Sequence, residues 1–367
     1  MNNNFYGNGQ LGGWGQQGFR YGQNMPNGFN PFGGPFIDPL RKSGDKKILR
    51  SAGSAFGIAI ILYITIAVIV STVIWVLSEP YPALKELYTD GILSSCYDIV
   101  ASILFLGGPF FIAYAILKKK KTAGILPFGT PYNTKAAVYL VMLMLPAVLL
   151  SSIGINYISY WIQSYLGLTF TSGMDDIQIT GVSGTLISVL SMAIVPAVIE
   201  ETAIRGIVMQ PLRRYGDKFA IVASAVIFSI LHGNMVQIPY TMVAGIYFGL
   251  VAVLTGSLWP SMVLHCLNNL FSVIIVAVDS NFGETAANIA TYIILGIFII
   301  VGIIGGIKFG KMRYTHPLAK GVNTLTRNEK VSALFANPAM IIAIIIMLII
   351  TVRSIDFSGS DFSDFYG

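Results

Sequence analysis

The sequence predicts an all-α fold: a polytopic transmembrane helical bundle of about eight or nine spans, preceded by a disordered cytoplasmic N-terminal tail. Three observations predict it. Mean hydropathy is +0.70 and 54% of residues are hydrophobic, while only 11% are charged, against about 25% in a soluble domain. Apolar stretches recur that are long enough to cross a hydrocarbon core of about 30 Å, which takes roughly 20 helical residues each. Lysines and arginines gather in alternate connecting segments, the pattern of a chain threaded repeatedly through a bilayer.

In chain order the apolar stretches cover about 52–77, 97–117, 136–157, 181–203, 219–235, 237–255, 258–278, 286–307 and 334–352. That makes nine spans, with eight as the alternative. The last two carry no acid or base and are expected to brace the bundle or face lipid. All but two of the 23 basic residues fall before the first span (such as Arg41 and Arg50), in the second loop (Lys118 to Lys121, Lys135), between spans four and five (Arg205, Arg213, Arg214, Lys218), or between spans eight and nine. Lys85 and Arg353 are the exceptions, and acids such as Glu79, Asp279 and Glu284 occupy the opposite loops. This asymmetry places the N-terminus in the cytoplasm. The net charge of +6 thus reflects topology and contact with anionic lipid. It implies no nucleic-acid partner.

Residues 1–37 are rich in Gly, Asn and Gln with interspersed aromatics, and cannot bury enough apolar surface to order themselves. They lack the short apolar core of a cleavable signal peptide, so the tail is expected to be retained. The organisation reads as a tail at 1–45, N-terminal membrane helices at 46–180, a core at 181–279, C-terminal membrane helices at 280–352 and an acidic tail at 353–367. Cys96 and Cys266 have neither disulfide placement nor metal-ligand spacing and are expected as thiols.

The informative stretch is the 181–279 core. A carboxylate near mid-bilayer costs roughly 2.5 to 3.5 kcal/mol on insertion scales, and Glu200 and Glu201 stand side by side there. Pro196 removes a helical hydrogen bond just upstream, which predicts a kink that opens space beside the acids. The helix is expected to continue past Glu201 to a turn at Tyr215-Gly216-Asp217. Glu200 and His232 are equidistant from Gly216, so an antiparallel hairpin brings them to one depth. His265 lies about 13 Å beyond the next turn at Thr255-Gly256-Ser257, near that same level below the cytoplasmic surface. Glu201 and Arg205 are four apart with the acid first, the order of an internal ion pair, which leaves Glu200 for proton transfer. Phe228 shares a face with His232, and His265 with Asn269. Gly245 and Gly249 have the small-x-x-x-small spacing of close helix packing.

These residues resemble the CPBP family of intramembrane proteases, the CAAX protease and bacteriocin-processing or immunity (Abi) type. Its Glu-Glu-x-x-x-Arg motif reads as Glu200-Glu201-Thr202-Ala203-Ile204-Arg205, followed by Gly206. Its Phe-x-x-x-His motif reads as Phe228 to His232, and its His-x-x-x-Asn motif as His265 to Asn269. Ile204 departs from the aromatic residue of many relatives. The three motifs in order make the match specific, but it covers only about 180–275.

The resemblance implies a hydrolase: an intramembrane endopeptidase in which Glu200 activates water, His232 holds it, and His265 and Asn269 stabilise the oxyanion, supported by Glu201, Arg205 and Phe228. No cofactor is required in this reading. A metalloprotease version, with zinc on Glu200, His232 and His265, stays open because three such ligands plus water suit zinc. Against it, the chain lacks His-Glu-x-x-His, and a carboxamide is a poor zinc ligand but a good oxyanion donor. The implied partner is a membrane-associated protein or peptide substrate, prenylated or not, in the bilayer of a bacterial cell membrane, with the site opening toward the cytoplasm. The alternative is a non-catalytic scaffold, immunity factor or regulator of the same fold. Transport is disfavoured, since no inverted repeat is seen. Asn268 is expected to bond locally, and His316 to be an ordinary surface histidine.

Overall fold

The computed structural model describes residues 39–81, 91–171, 177–314 and 316–356. The expected tail at 1–37 lies outside them, as do Lys85, Glu86, Asp90, Asp175 and Asp176. The described chain is a helical bundle. Its helices are α1 (Pro39–Ser78), α2 (Gly91–Lys119), α3 (Thr134–Leu166), α4 (Gly181–Tyr215) and α5 (Asp217–Ile230). They continue as α6 (Gln237–Thr255), α7 (Trp259–Phe282), α8 (Glu284–Lys311), α9 (Arg327–Phe335) and α10 (Pro338–Arg353). One two-residue antiparallel pairing, β1 (Thr169–Phe170) with β2 (Ile355–Asp356), ties the end of α3 to the end of α10.

Hydrogen bonds between distant segments define the two ends of the bundle. At one end Lys120 Nζ donates to Ser51 Oγ at 2.9 Å, Arg214 pairs with Asp45 at 2.9 Å, and Ser257 Oγ donates to the Gly129 carbonyl at 2.6 Å. At the other, Ile179 N donates to Ser280 Oγ at 3.1 Å and Met235 N to Ser354 Oγ at 3.2 Å. Helices α1 to α8 therefore run alternately between two faces. Lys118 to Lys121, Arg213, Arg214, Lys308 and Lys311 all sit on the first, here termed the basic face, which also holds the start of α10. Arg353, closing α10, sits on the far face.

Seven of these helices are long and apolar enough to cross a membrane, and α9 with α10, bent by 76°, make an eighth if counted as one span. The ninth expected span fails on length. α5 has 14 residues, about 21 Å at 1.5 Å per residue, against a core of about 30 Å. Its end is set by Gly233 at φ +64° and by Asn234, whose side chain accepts from Gln237 N at 2.8 Å and opens α6. The stretch at 334–352 is divided for a similar reason. Asn337 caps Met340 N at 3.1 Å and Pro338 opens a new helix, so the apolar helix is the 16-residue α10.

One helix begins before the limit drawn for the tail, and another ends at the turn expected from the sequence. α1 starts at Pro39, before the limit drawn at residue 45, because Asp45 is buried and accepts from Arg214 and from Thr324 N at 3.1 Å. α4 runs on to Tyr215, as the turn at Gly216 (φ +111°) requires. Arg205, counted above as a loop cation, is instead a fully buried residue of α4.

α4 is not a uniform helix. Residues 189–194 and 202–208 are π-helical and flank the short α-helical piece Val195–Glu201. Pro196 falls in the first turn of that piece, where its missing N–H costs little because the π-helical stretch has already interrupted the ladder. Each π turn inserts a residue, so the pair of acids is rotated relative to a continuous α-helix.

Candidate active site

The site is assembled on α4, α5 and its following turn, α6 and α7. At its base lies Glu201, a carboxylate with no solvent exposure. Its Oε1 accepts from Arg205 Nη1 at 2.7 Å and pairs with His265 Nδ1 at 3.0 Å, and its Oε2 accepts from Ser261 Oγ. Arg205 can only donate, so Oε1 of Glu201 is an acceptor, and the network assigns the proton on His265 to Nδ1, which shares that oxygen. Nε2 of His265 is left facing the cavity, 3.7 Å from Glu200 Oε2.

Arg205 is buried completely, yet its charge is met from several directions. Nη2 donates to the Gly245 carbonyl at 3.0 Å, and its guanidinium lies 4.5 Å from the Phe228 ring centroid and 5.3 Å from that of Phe248. Its Nε has no hydrogen-bond partner, and the two aromatic faces are the surroundings that favour a cation there. Gly245 permits this approach. A Cβ on it would stand 3.0 Å from Ala225 Cβ and 3.3 Å from Arg205 Nη2, so the glycine that packs α6 on α5 also delivers the carbonyl that Arg205 needs.

The aromatic rings hold both imidazoles. Phe248 stacks on His265 at 4.7 Å, and Phe228 meets His232 edge-on at 4.8 Å. His232, just past the end of α5, lies 2.9 Å through Nδ1 from the Phe228 carbonyl. A carbonyl only accepts, so Nδ1 carries the proton and Nε2 is the acceptor of the neutral ring. Asn269 donates through Nδ2 to the Met192 carbonyl at 3.2 Å and accepts from Asn268 Nδ2 at 3.2 Å. The second Nδ2 hydrogen of Asn269 is not used by these bonds.

Glu200, His232, His265 and Asn269 all line one cavity of about 700 Å³. The Glu200 side chain keeps 21% of its exposure, unlike Glu201. Ile204, the departure from the family pattern, is buried beside a smaller cavity of about 200 Å³ that also touches Glu200 and His232. The exposed polar wall residues of the main cavity, Asp98, Asn156 and Ser272, lie on α2, α3 and α7.

Among the described residues no group of three His, Cys, Asp or Glu side chains is drawn together as a metal cluster would be, and the bonds made by Nδ1 of each imidazole leave both Nε2 atoms toward the cavity. Cys266 is half-buried and Cys96 exposed, both as thiols. His316 lies with its ring centroid 4.9 Å from that of Tyr132, tilted by 40°, outside the site.

Four residues of the site were not singled out in the sequence: Ser261, Phe248, Ser191 and Asp98. Ser261 was legible, because it precedes His265 by four residues as Asn269 follows by four, one stripe of α7. Phe248, Ser191 and Asp98 had no local signal, since an aromatic, a serine and an acid near a helix end are ordinary in membrane helices.

Residues 182–271 match the family model described as type II CAAX prenyl endopeptidase, Rce1-like. The resemblance read from the three motifs is thus shown over that segment, and it supports a CAAX-protease-like endopeptidase kind. No curated protein and no solved structure matches.

The buried network carries a stability prediction. Glu201→Gln leaves Arg205 without its counter-charge and should cost about 3–5 kcal/mol, whereas Ser261→Ala removes one of three donors and should cost about 1 kcal/mol. Thermal unfolding in a single detergent should rank the unaltered chain above Ser261→Ala and both well above Glu201→Gln. Indistinguishable midpoints would contradict the clamp.

Proposed function

We propose that this chain is an intramembrane endopeptidase that hydrolyses a peptide bond in a membrane-associated protein or peptide, with Glu200 activating the water. The observation that carries the reading is the division of labour between adjacent acids. Glu201 is saturated with donors and buried, while Glu200 faces a cavity together with two imidazole Nε2 atoms and a carboxamide.

The chemistry follows from the atoms that face the cavity. A water donating one hydrogen to Glu200 and the other to His232 Nε2 presents a lone pair to a bound carbonyl carbon. As the C–O bond forms, Glu200 takes the proton, and the carbonyl oxygen gains the negative charge. The second Nδ2 hydrogen of Asn269 is the donor for that oxyanion, a contribution worth about 3–4 kcal/mol in other hydrolases. When the tetrahedral centre collapses, the C–N bond breaks and Glu200 returns the proton to the leaving nitrogen, giving an acid and an amine. His265 has a different part from the one first expected. With its Nδ1 proton committed to Glu201, it can donate to an oxyanion through Nε2 only as imidazolium. In the neutral ring, Nε2 accepts from Glu200 when that carboxyl carries the proton. No metal takes part in this scheme.

Glu200→Gln is near-isosteric and tests it. Comparing new protein termini in membranes carrying the unaltered chain or the variant should show substrate fragments only with the former, at equal chain levels. Fragments that persist with the variant would contradict proteolysis by this route, and a biological effect that tolerates the change would point to a scaffold.

Orientation belongs to the same proposal: a bacterial cell membrane with the basic face and the N-terminus cytoplasmic. Cysteines introduced singly at Lys320 and Arg353, in a chain with Cys96 and Cys266 replaced by Ser, provide the test. A membrane-impermeant thiol reagent applied to intact cells should label the Arg353 position and spare the Lys320 position; the reverse would invert the topology.

A further inference from the structure

We infer that the cavity wall formed by α2 is a cation-selecting subsite centred on Asp98, so that the substrate presents a lysine or arginine side chain beside the bond to be cut. The inference rests on the endopeptidase reading for the word substrate, but its geometry stands separately.

Among the described residues two carboxylates, Asp98 and Glu200, line the cavity, and no lysine or arginine does. The nearest guanidinium, Arg205, is sealed behind Glu201 with its charge already met. A peptide whose free C-terminal carboxylate had to enter would meet two like charges and no counter-charge. A cationic side chain would be attracted by both, and complementary charge of this kind sets specificity more than raw affinity. Asp98 makes no ion pair among the described residues and is exposed near the start of α2, so its charge is available to a ligand.

A second observation points to a polar ligand on the adjoining wall, where the 189–194 stretch of α4 packs against the start of α2. Ser191 is 2% exposed, lines the cavity, and among the described residues its Oγ has no hydrogen-bond partner. Helical hydroxyls ordinarily return their proton to the carbonyl four residues back, as Ser151 does to Ala147 and Thr202 to Val198, both at 2.7 Å. Ser191 lies in the π-helical stretch 189–194 and makes no such bond. A buried hydroxyl without a partner calls for one, and Ser191 directly precedes Met192, whose carbonyl holds Asn269. The two walls therefore offer an anionic group at the exposed rim and a waiting hydroxyl deeper in, on the approach to the reacting centre.

The test uses the full chain reconstituted in lipid and one internally quenched peptide made with Lys, Gln or Glu at each position flanking the cleaved bond. The expected result is that Lys exceeds Glu in kcat/KM by about tenfold at one position, the ratio that one partly hydrated ion pair gives. In Asp98→Asn that ratio should fall toward one, and in Asp98→Lys it should invert. Direct binding of the same peptides to the Glu200→Gln chain separates the two proposals. A Lys-over-Glu preference that Asp98→Asn erases sustains the subsite even if no peptide is ever cleaved. Equal binding of Lys and Glu peptides, or a preference indifferent to Asp98, overturns it even if cleavage proceeds through Glu200, and leaves Asp98 as an acid hydrated at the membrane surface.

Discussion

Everything at this site depends on one buried carboxylate being given enough donors to stay an acceptor inside a membrane bundle. Glu201 receives a guanidinium, an imidazole N–H and a hydroxyl from three different turns. A single partner would not offset the cost of burying the charge, but the three together also fix the rotamers of the groups that donate. The clamp thereby orients His265, and through Arg205 it positions Phe228, on which His232 rests. Two imidazoles are thus referred to one hidden point.

Two neighbouring glutamates live differently because an α-helix separates adjacent residues by about 100°, and the π-helical turns on both sides of Val195–Glu201 set which way that short piece faces within α4. One acid is turned into the protein and the other into the cavity. Glycine does comparable work on α6, where the absence of a side chain at Gly245 lets a backbone carbonyl reach Arg205. Packing and electrostatics are inseparable at that position.

Much of this was legible in the sequence, for identifiable reasons. Hydropathy set the helices because bilayer thickness is a constraint of length, and the acids, imidazoles and Asn269 stood out because polar groups are rare in apolar runs. Equal spacing about Gly216 brought Glu200 and His232 to one cavity because that turn is tight. What escaped had no local trace. The early end of α5 depends on Gly233 and on Asn234, which opens α6, rather than on hydropathy. Asp45 ordered the start of α1 through contacts with Arg214 and Thr324, distant in sequence. Arg205 entered the count of loop cations by its place between two apolar stretches, although its spacing from Glu201 already marked it as that acid's helical partner.

The most direct test of the central arrangement is the protonation of its imidazoles. The chain has three histidines, so nitrogen-15 NMR of histidine-labelled protein above the imidazole titration range gives few resonances, assignable by His316→Gln, His232→Gln and His265→Gln. His265 and His232 are both predicted to carry the proton on Nδ1, with Nε2 resonating as an acceptor nitrogen. A proton on Nε2 of His265 would mean that Glu201 does not hold the ring, and the account would fail at its base.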